Sequence, residues 1–152
     1  MTPSPVRLVL VAERTAWVRR LVDGIRHLPL ESLETFLGDS RNVAAAESYL
    51  RRALEGLLDL GRHILAKGFG TAAAEYKDVG SKLAEHGVLS KEEGLLLRRL
   101  AGYRNRLVHF YHEVSSAEFY RLCTEHLEDV TFLLERLLAW VEAHPEKTDR
   151  TI

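Results

Sequence analysis

Cysteine occurs once, at Cys123, in a chain of 152 residues. A single thiol closes no disulfide within the chain and cannot build a zinc site of the cysteine type. Excess positive charge is missing as well. The formal net charge is -1, which argues against a broad electrostatic grip on nucleic acid and leaves room only for a local basic cleft. Long hydrophobic runs are absent too. The N-terminal run Leu8 to Ala12 is met at once by Glu13 and Arg14, too short for a signal peptide or a membrane span. The expectation is a cytoplasmic protein with no membrane contact.

Other absences narrow the chemistry. There is no phosphate-binding Gly-x4-Gly-Lys loop, no dinucleotide fingerprint, no HExxH and no Gly-x-Ser-x-Gly elbow. His27, His86, His126 and His144 are scattered without ligand-like grouping, so no metal or cofactor is expected. No segment alternates as a strand, and there is no internal repeat or low-complexity tract.

What is present is a composition of 46% apolar and 28% charged residues, that of a globular protein, sized for one domain covering residues 1–152. Ser4-Pro5 reads as the start of a first helix. Val6, Leu10, Trp17, Leu21, Ile25 and Leu28 then recur at helical spacing until Pro29. Leu30 to Phe36 is a connection or a helical turn. Asp39 or Ser40 caps a second long helix reaching about Lys67, with a stripe of Val43, Ala46, Leu50, Leu54, Leu57, Gly61 and Ile64. Gly56 and Gly61 within it cost helix propensity. A short helix from Tyr76 to His86 stops at Gly87. Ser90 with Glu93, and Ser115 with Glu118, are capping-box pairs that start two more helices. The last helix carries Phe119, Leu122, Leu127, Val130, Leu134, Leu137 and Val141, and frays into a polar tail after Pro145. The fold expected is all-α, an up-down bundle of four main helices plus a short fifth.

One stretch concentrates the chemistry. From Arg98 to His112 there are four arginines, two histidines and no acidic side chain. On a helix at 100° per residue, Leu96, Leu100, Tyr103 and Leu107 form one apolar stripe, with Leu97, Ala101, Arg104 and Val108 beside it. Arg104 therefore sits among apolar neighbours and needs an anion. Asp59, four residues before His63, is a candidate for that anion, although an intrahelical Asp59–His63 pair fits the spacing better. Arg104 and His109 stand roughly 140° apart on an ideal helix, an arrangement unsuited to gripping one small ligand. Either the helix ends before His109, or two copies meet so that opposing residues share a cleft. An extended chain after His109 would bring Tyr111 to the same side as His109.

Residues Arg104 to Tyr111 match Arg-x4-His-x-Tyr, and the chain resembles the HepT-like ribonuclease toxins of the HEPN superfamily. Tyr76-Lys77-Asp78-Val79, Leu83 to Leu89 and Leu100 to Asn105 resemble that family's run into the motif, and Asp59 and His63 fit its layout. The resemblance covers roughly residues 37 to 142. Ser115 departs from it, since family members often place an acidic residue there. The resemblance implies a HEPN-like homodimer with two motifs facing across a cleft, and metal-independent cleavage of RNA, mRNA or tRNA. It also implies a minimal nucleotidyltransferase antitoxin as partner, which transfers AMP to Tyr111.

RNA carries its own nucleophile, so a metal-free ribonuclease needs a proton acceptor, a proton donor and a cation. Imidazole suits His109 to acid–base work. Arg104 suits the phosphate and its developing charge. Asn105 would orient the phosphate or His109, Tyr111 would donate to a phosphate oxygen, and Arg106, Arg98 and Arg99 would touch the RNA backbone. Bland readings compete. Arginine near a helix C-terminus is usually a dipole partner, a lone histidine is usually structural, and Cys123 packs. The alternative functions are a non-catalytic HEPN module that binds a nucleotide or a partner protein, and a purely structural dimerising bundle.

Overall fold

A computed structural model describes residues 3–149, the side chain of Tyr111 excepted. Its centre is a 30-residue helix, α3 (Ser40–Phe69), about 45 Å long. Asp39 caps it by accepting the Arg41 N–H at 2.9 Å, and Gly70 ends it with a φ of 63° that few other residues adopt without strain. Leu50, Leu54, Leu57, Leu58, Leu60, Ile64 and Leu65 are all buried. Each fully buried side chain of this size contributes roughly 1.5–3 kcal/mol. Burial on several sides lets α3 pack against α1 (Leu8–Arg26), α2 (Leu33–Leu37), α4 (Tyr76–Glu85), α5 (Lys91–His109), α6 (Ser116–Glu125) and α7 (Leu127–Ala143). No described residue belongs to a strand, and among them no helix is long and apolar enough to cross a membrane.

The all-α architecture agrees with the sequence expectation, with seven α-helices among the described residues. Leu30 to Phe36 does contain a helical turn, α2, capped by Ser32. Gly56 and Gly61 do mark close approaches. A Cβ on Gly56 would lie 2.8 Å from Val18 Cγ2 of α1, and one on Gly61 would lie 2.7 Å from Val79 Cγ1 of α4. The tightest approach is elsewhere: a Cβ on Gly80 of α4 would stand 2.2 Å from the Gly94 carbonyl oxygen of α5. These two short-contact glycines clamp α4 onto α5, the helix that carries the motif.

Four expectations need correction. The first helix starts at Leu8, not Pro5. Residues 4–7 precede the helix, and the donors of this segment and of Leu8 are satisfied from afar: Ser4 N–H by Lys67 O, Val6 N–H by Lys147 O, Arg7 N–H by His63 Nε2, and Leu8 N–H by Asp149 Oδ1. The same contacts overturn the frayed tail. Pro145–Lys147 forms a 3-10 turn, and Val6 and Thr148 make an isolated parallel bridge. The last helix is two helices, broken at His126, whose Nδ1 lies 3.2 Å from Asp129 Oδ2. Thr124 Oγ1 bonds back to the Tyr120 carbonyl at 2.9 Å, a contact that loosens a helical turn, with neither glycine nor proline to mark it. Finally, Ser115 caps the Glu118 N–H, but the Glu118 carboxylate does not close the box. It pairs with Arg106 instead.

Candidate active-site cleft

Three helices meet at the cleft. On α3, Arg51, Glu55, Asp59 and Arg62 recur every three to four residues, so they form one polar stripe on an otherwise buried helix. The start of α4 brings Tyr76 and Lys77. The last turns of α5 bring Arg104, Asn105 and His109. Arg62, Tyr76, Lys77, Arg104, Asn105 and His109, with Ala74 and Glu75, line a cavity of about 470 Å³.

Arg104 is anchored rather than free. Its Nη2 donates to Glu55 Oε2 at 2.9 Å, its Nε to the same oxygen at 3.3 Å, and its Nη1 to Asn105 Oδ1 at 3.2 Å. The two charged side chains are only 19% and 23% exposed, so the pair is worth more than a surface ion pair. Glu55 also accepts Arg51 Nη1 at 3.0 Å through its other oxygen. The anion that Arg104 needed is therefore Glu55, not Asp59. Asp59 accepts the Tyr76 hydroxyl at 2.7 Å, and His63 accepts the Arg7 N–H, so the expected Asp59–His63 pair gives way to two longer-range partners.

Tyr76 organises the wall. The Arg104 guanidinium carbon lies 4.7 Å from its ring centre and that of Arg62 lies 4.2 Å away, both within cation–π range. Burial, then the hydrogen bond to Asp59, push the Tyr76 phenol up to about 12. It is a neutral hydrogen-bond donor at any physiological pH, and neither a base nor a nucleophile.

The structure brings Arg104, Asn105 and His109 to one cleft, which the 140° separation argued against. The angle governs where side chains leave the helix, not where a long guanidinium ends once Glu55 has turned it. Helix α5 runs through His109 without ending early. The chain beyond it is not extended either: Phe110 caps α5, and Tyr111–Glu113 forms a 3-10 turn held by Phe110 N–H to Arg106 O and Glu113 N–H to Phe110 O. The orientation expected for Tyr111 lies outside the described side chains. Arg106, expected on the RNA backbone, does not line the cleft. Both its Nη atoms donate to Glu118 of α6, which holds its pKa above the ordinary arginine value. Arg98 and Arg99 are exposed, and Arg98 faces a separate groove between α4 and α5. The cation cluster of residues 98–112 is thus divided among three places.

Several bland expectations match the structure. Cys123 is buried, and burial alone pushes its thiol up to about 12. His112 is exposed. The stripes of α5 merge, with Leu97, Leu100, Ala101 and Leu107 buried and Val108 left 40% exposed. Glu55 and Arg62 were missed from sequence. Their signal was present in the four-residue spacing of charges along a buried helix, which reads as needing partners.

The model of the family described as Ribonuclease HepT-like matches residues 20–137. The tRNA nuclease HepT of Aphanizomenon flos-aquae (strain 2012/KM1/D3) is 20% identical over 141 residues, 93% of this chain and 96% of that protein. Among solved structures, the tri-AMPylated Shewanella oneidensis HEPN toxin in complex with MNT antitoxin aligns with a TM-score of 0.77. It is 21% identical and covers 86% of this chain and 97% of its own. YutE, a cytosolic protein of unknown function from Bacillus subtilis, aligns with a TM-score of 0.71, 22% identity and coverage of 88% and 90%. These solved neighbours agree on the helical fold. The family match spans every helix that builds the cleft, and the chain belongs to the HepT-like ribonuclease family.

Proposed function

We propose that the chain is a metal-independent endoribonuclease toxin of a toxin–antitoxin pair, acting on tRNA or mRNA. The observation that carries this is the shared cavity of Arg104, Asn105 and His109, on a chain of this family. A base removes the proton of the RNA 2′-hydroxyl, whose oxygen attacks the adjacent phosphorus. The bond to the 5′-oxygen breaks, and an acid returns a proton to that oxygen, leaving a cyclic phosphate and a 5′-hydroxyl. Arg104, oriented by Glu55 and Asn105, stabilises the charge on the non-bridging oxygens. Asn105, one turn from His109, uses its amide N–H₂ to position the phosphate.

His109 is the proton-transfer group. One imidazole cannot be base and acid in the same step, so two copies face each other in a homodimer. Val108 is 40% and Phe110 50% exposed on either side of His109, apolar surface that a second copy would cover. Inactivation is by a minimal nucleotidyltransferase antitoxin that transfers AMP to Tyr111. The added phosphate places an anion near Arg104 and blocks the cleft, in keeping with the AMPylated state named for the Shewanella toxin.

The test is His109→Ala with purified RNA. Cleavage and growth arrest should fall by about 100- to 10,000-fold, and cleavage by the unaltered protein should persist in EDTA. Undiminished cleavage by His109→Ala would reject His109 as the proton-transfer group, whereas no cleavage by the unaltered protein, with ligand affinity intact in His109→Ala, would leave instead the non-catalytic binding module. Loss of activity in EDTA would reject the metal-free route.

A further inference from the structure

We infer that Arg62 is a second phosphate-binding cation of the cleft, kept in register with Arg104 by the ring of Tyr76, so that the cleft grips two neighbouring phosphates of one RNA strand. The identity of the ligand rests on the ribonuclease function proposed above; the geometry does not.

Three observations carry this. Arg62 comes from α3 and lines the same cavity as Arg104 and His109 of α5, so the two cations approach a ligand from different helices. Their guanidinium carbons lie 4.2 and 4.7 Å from the centre of one ring, and the two groups can be no farther apart than the sum of those distances. That ring is itself fixed, because its hydroxyl donates to Asp59 at 2.7 Å. Charge is the third. Arg104 is neutralised by Glu55 and Arg106 by Glu118, whereas among the described residues no carboxylate pairs with Arg62. Its Nη2 donates to the Ala74 carbonyl at 2.8 Å and its Nε is buried without a partner, which leaves the other Nη hydrogens for a ligand. Exposed Lys77 and Glu75 on the same wall carry opposite charges, so the positive field of the cleft rests on its arginines.

Phosphate held by Arg62 would sit beside the scissile one and undergo no chemistry. Arg62 therefore binds ground state and transition state alike, which predicts a change in KM rather than kcat. The competing explanation is that Arg62 only ties the loop at Ala74 to α3. That role would change stability and leave RNA binding alone.

The experiment titrates a 2′-O-methyl oligoribonucleotide, which keeps its phosphates but lacks the nucleophile, against unaltered protein, Arg62→Gln, Arg62→Lys and Tyr76→Leu over a range of salt. For Arg62→Gln, affinity should fall about tenfold. The slope of log affinity against log salt should shrink by about 0.7, one phosphate contact on a single strand. Arg62→Lys should keep the slope, and Tyr76→Leu should lose more than one contact because both cations lose their support. Cleavage by Arg62→Gln should show a raised KM with kcat within about twofold.

An unchanged slope and KM in a folded Arg62→Gln, or no binding by the unaltered protein, overturns the inference. Unaltered protein that binds with the predicted slopes yet cleaves no RNA would leave the subsite standing and remove the ribonuclease function. Cleavage with an unchanged slope would do the reverse.

Discussion

Glu55 is the most informative residue to change. In Glu55→Gln the shape is kept, but one of two accepting oxygens becomes an N–H₂ pointing at a guanidinium. Arg51 and Arg104 approach different oxygens, at 3.0 and 2.9 Å, so one of them must face a donor whichever way the amide turns. Fully exposed pairs are worth about 0–1 kcal/mol, and breaking a fully buried pair costs about 3–5 kcal/mol. With roughly a fifth of each side chain of the Arg104–Glu55 pair still exposed, the loss should be about 2 kcal/mol. For a domain of this size that lowers the melting temperature by about 4–8 °C. The catalytic effect should be separate. Arg104 would keep its charge but lose its fixed plane, and misplacement of a catalytic group by an ångström costs on the order of 100-fold. A 10- to 100-fold fall in kcat with little change in KM is therefore expected. Thermal melting and single-turnover cleavage measure the two, with Glu128→Gln on exposed α7 surface as control. An unaltered melting temperature and kcat would refute the claim that Glu55 fixes Arg104. Faster cleavage would show that Glu55 competes with the phosphate instead of orienting its partner.

Two further perturbations test the frame. Gly80→Ala puts a Cβ against the Gly94 carbonyl oxygen, and backbone cannot swing aside. It should cost about 3 kcal/mol or more and loosen α4, which carries Tyr76. Gly102→Ala on α5 meets nothing within 4 Å and should stabilise by about 0.5–1 kcal/mol; melting curves of the pair give opposite signs if the packing is as described. His63 links stability to pH. Burial first, then Lys67 and Arg7, hold its pKa below the ordinary 6.5, against the opposing pull of Asp149. The unfolded chain thus binds the proton more readily. The His63 contribution is fully present above pH 6.5 and is lost as pH falls from 6.5 toward the lower native value. His63→Gln, whose amide oxygen can still accept the Arg7 N–H, should flatten that part of the curve of melting temperature against pH.

Much of this protein was legible in its sequence because local rules govern it. Helical periodicity, the Ser90–Glu93 capping box and the glycine stop at Gly87 are set by residues a few positions apart, and the structure keeps them. The Arg-x4-His-x-Tyr spacing needed only neighbouring letters. What failed had distant partners. The start of α1 depends on Asp149 and His63, and Glu118 leaves its own helix start for Arg106. No local pattern announces a break at His126.

The same division runs through the site. Sequence alone determined an all-α chain with Arg104 and Asn105 on one helix, because spacing on a helix is fixed by its pitch, and left open whether that helix reaches His109, as it does. Only tertiary structure decided that Glu55 turns Arg104, that Tyr76 supports both Arg62 and Arg104, and that Arg106 is spent on α6. Long charged side chains choose among anions within reach, and which anions are within reach is settled by helix packing rather than by order along the chain.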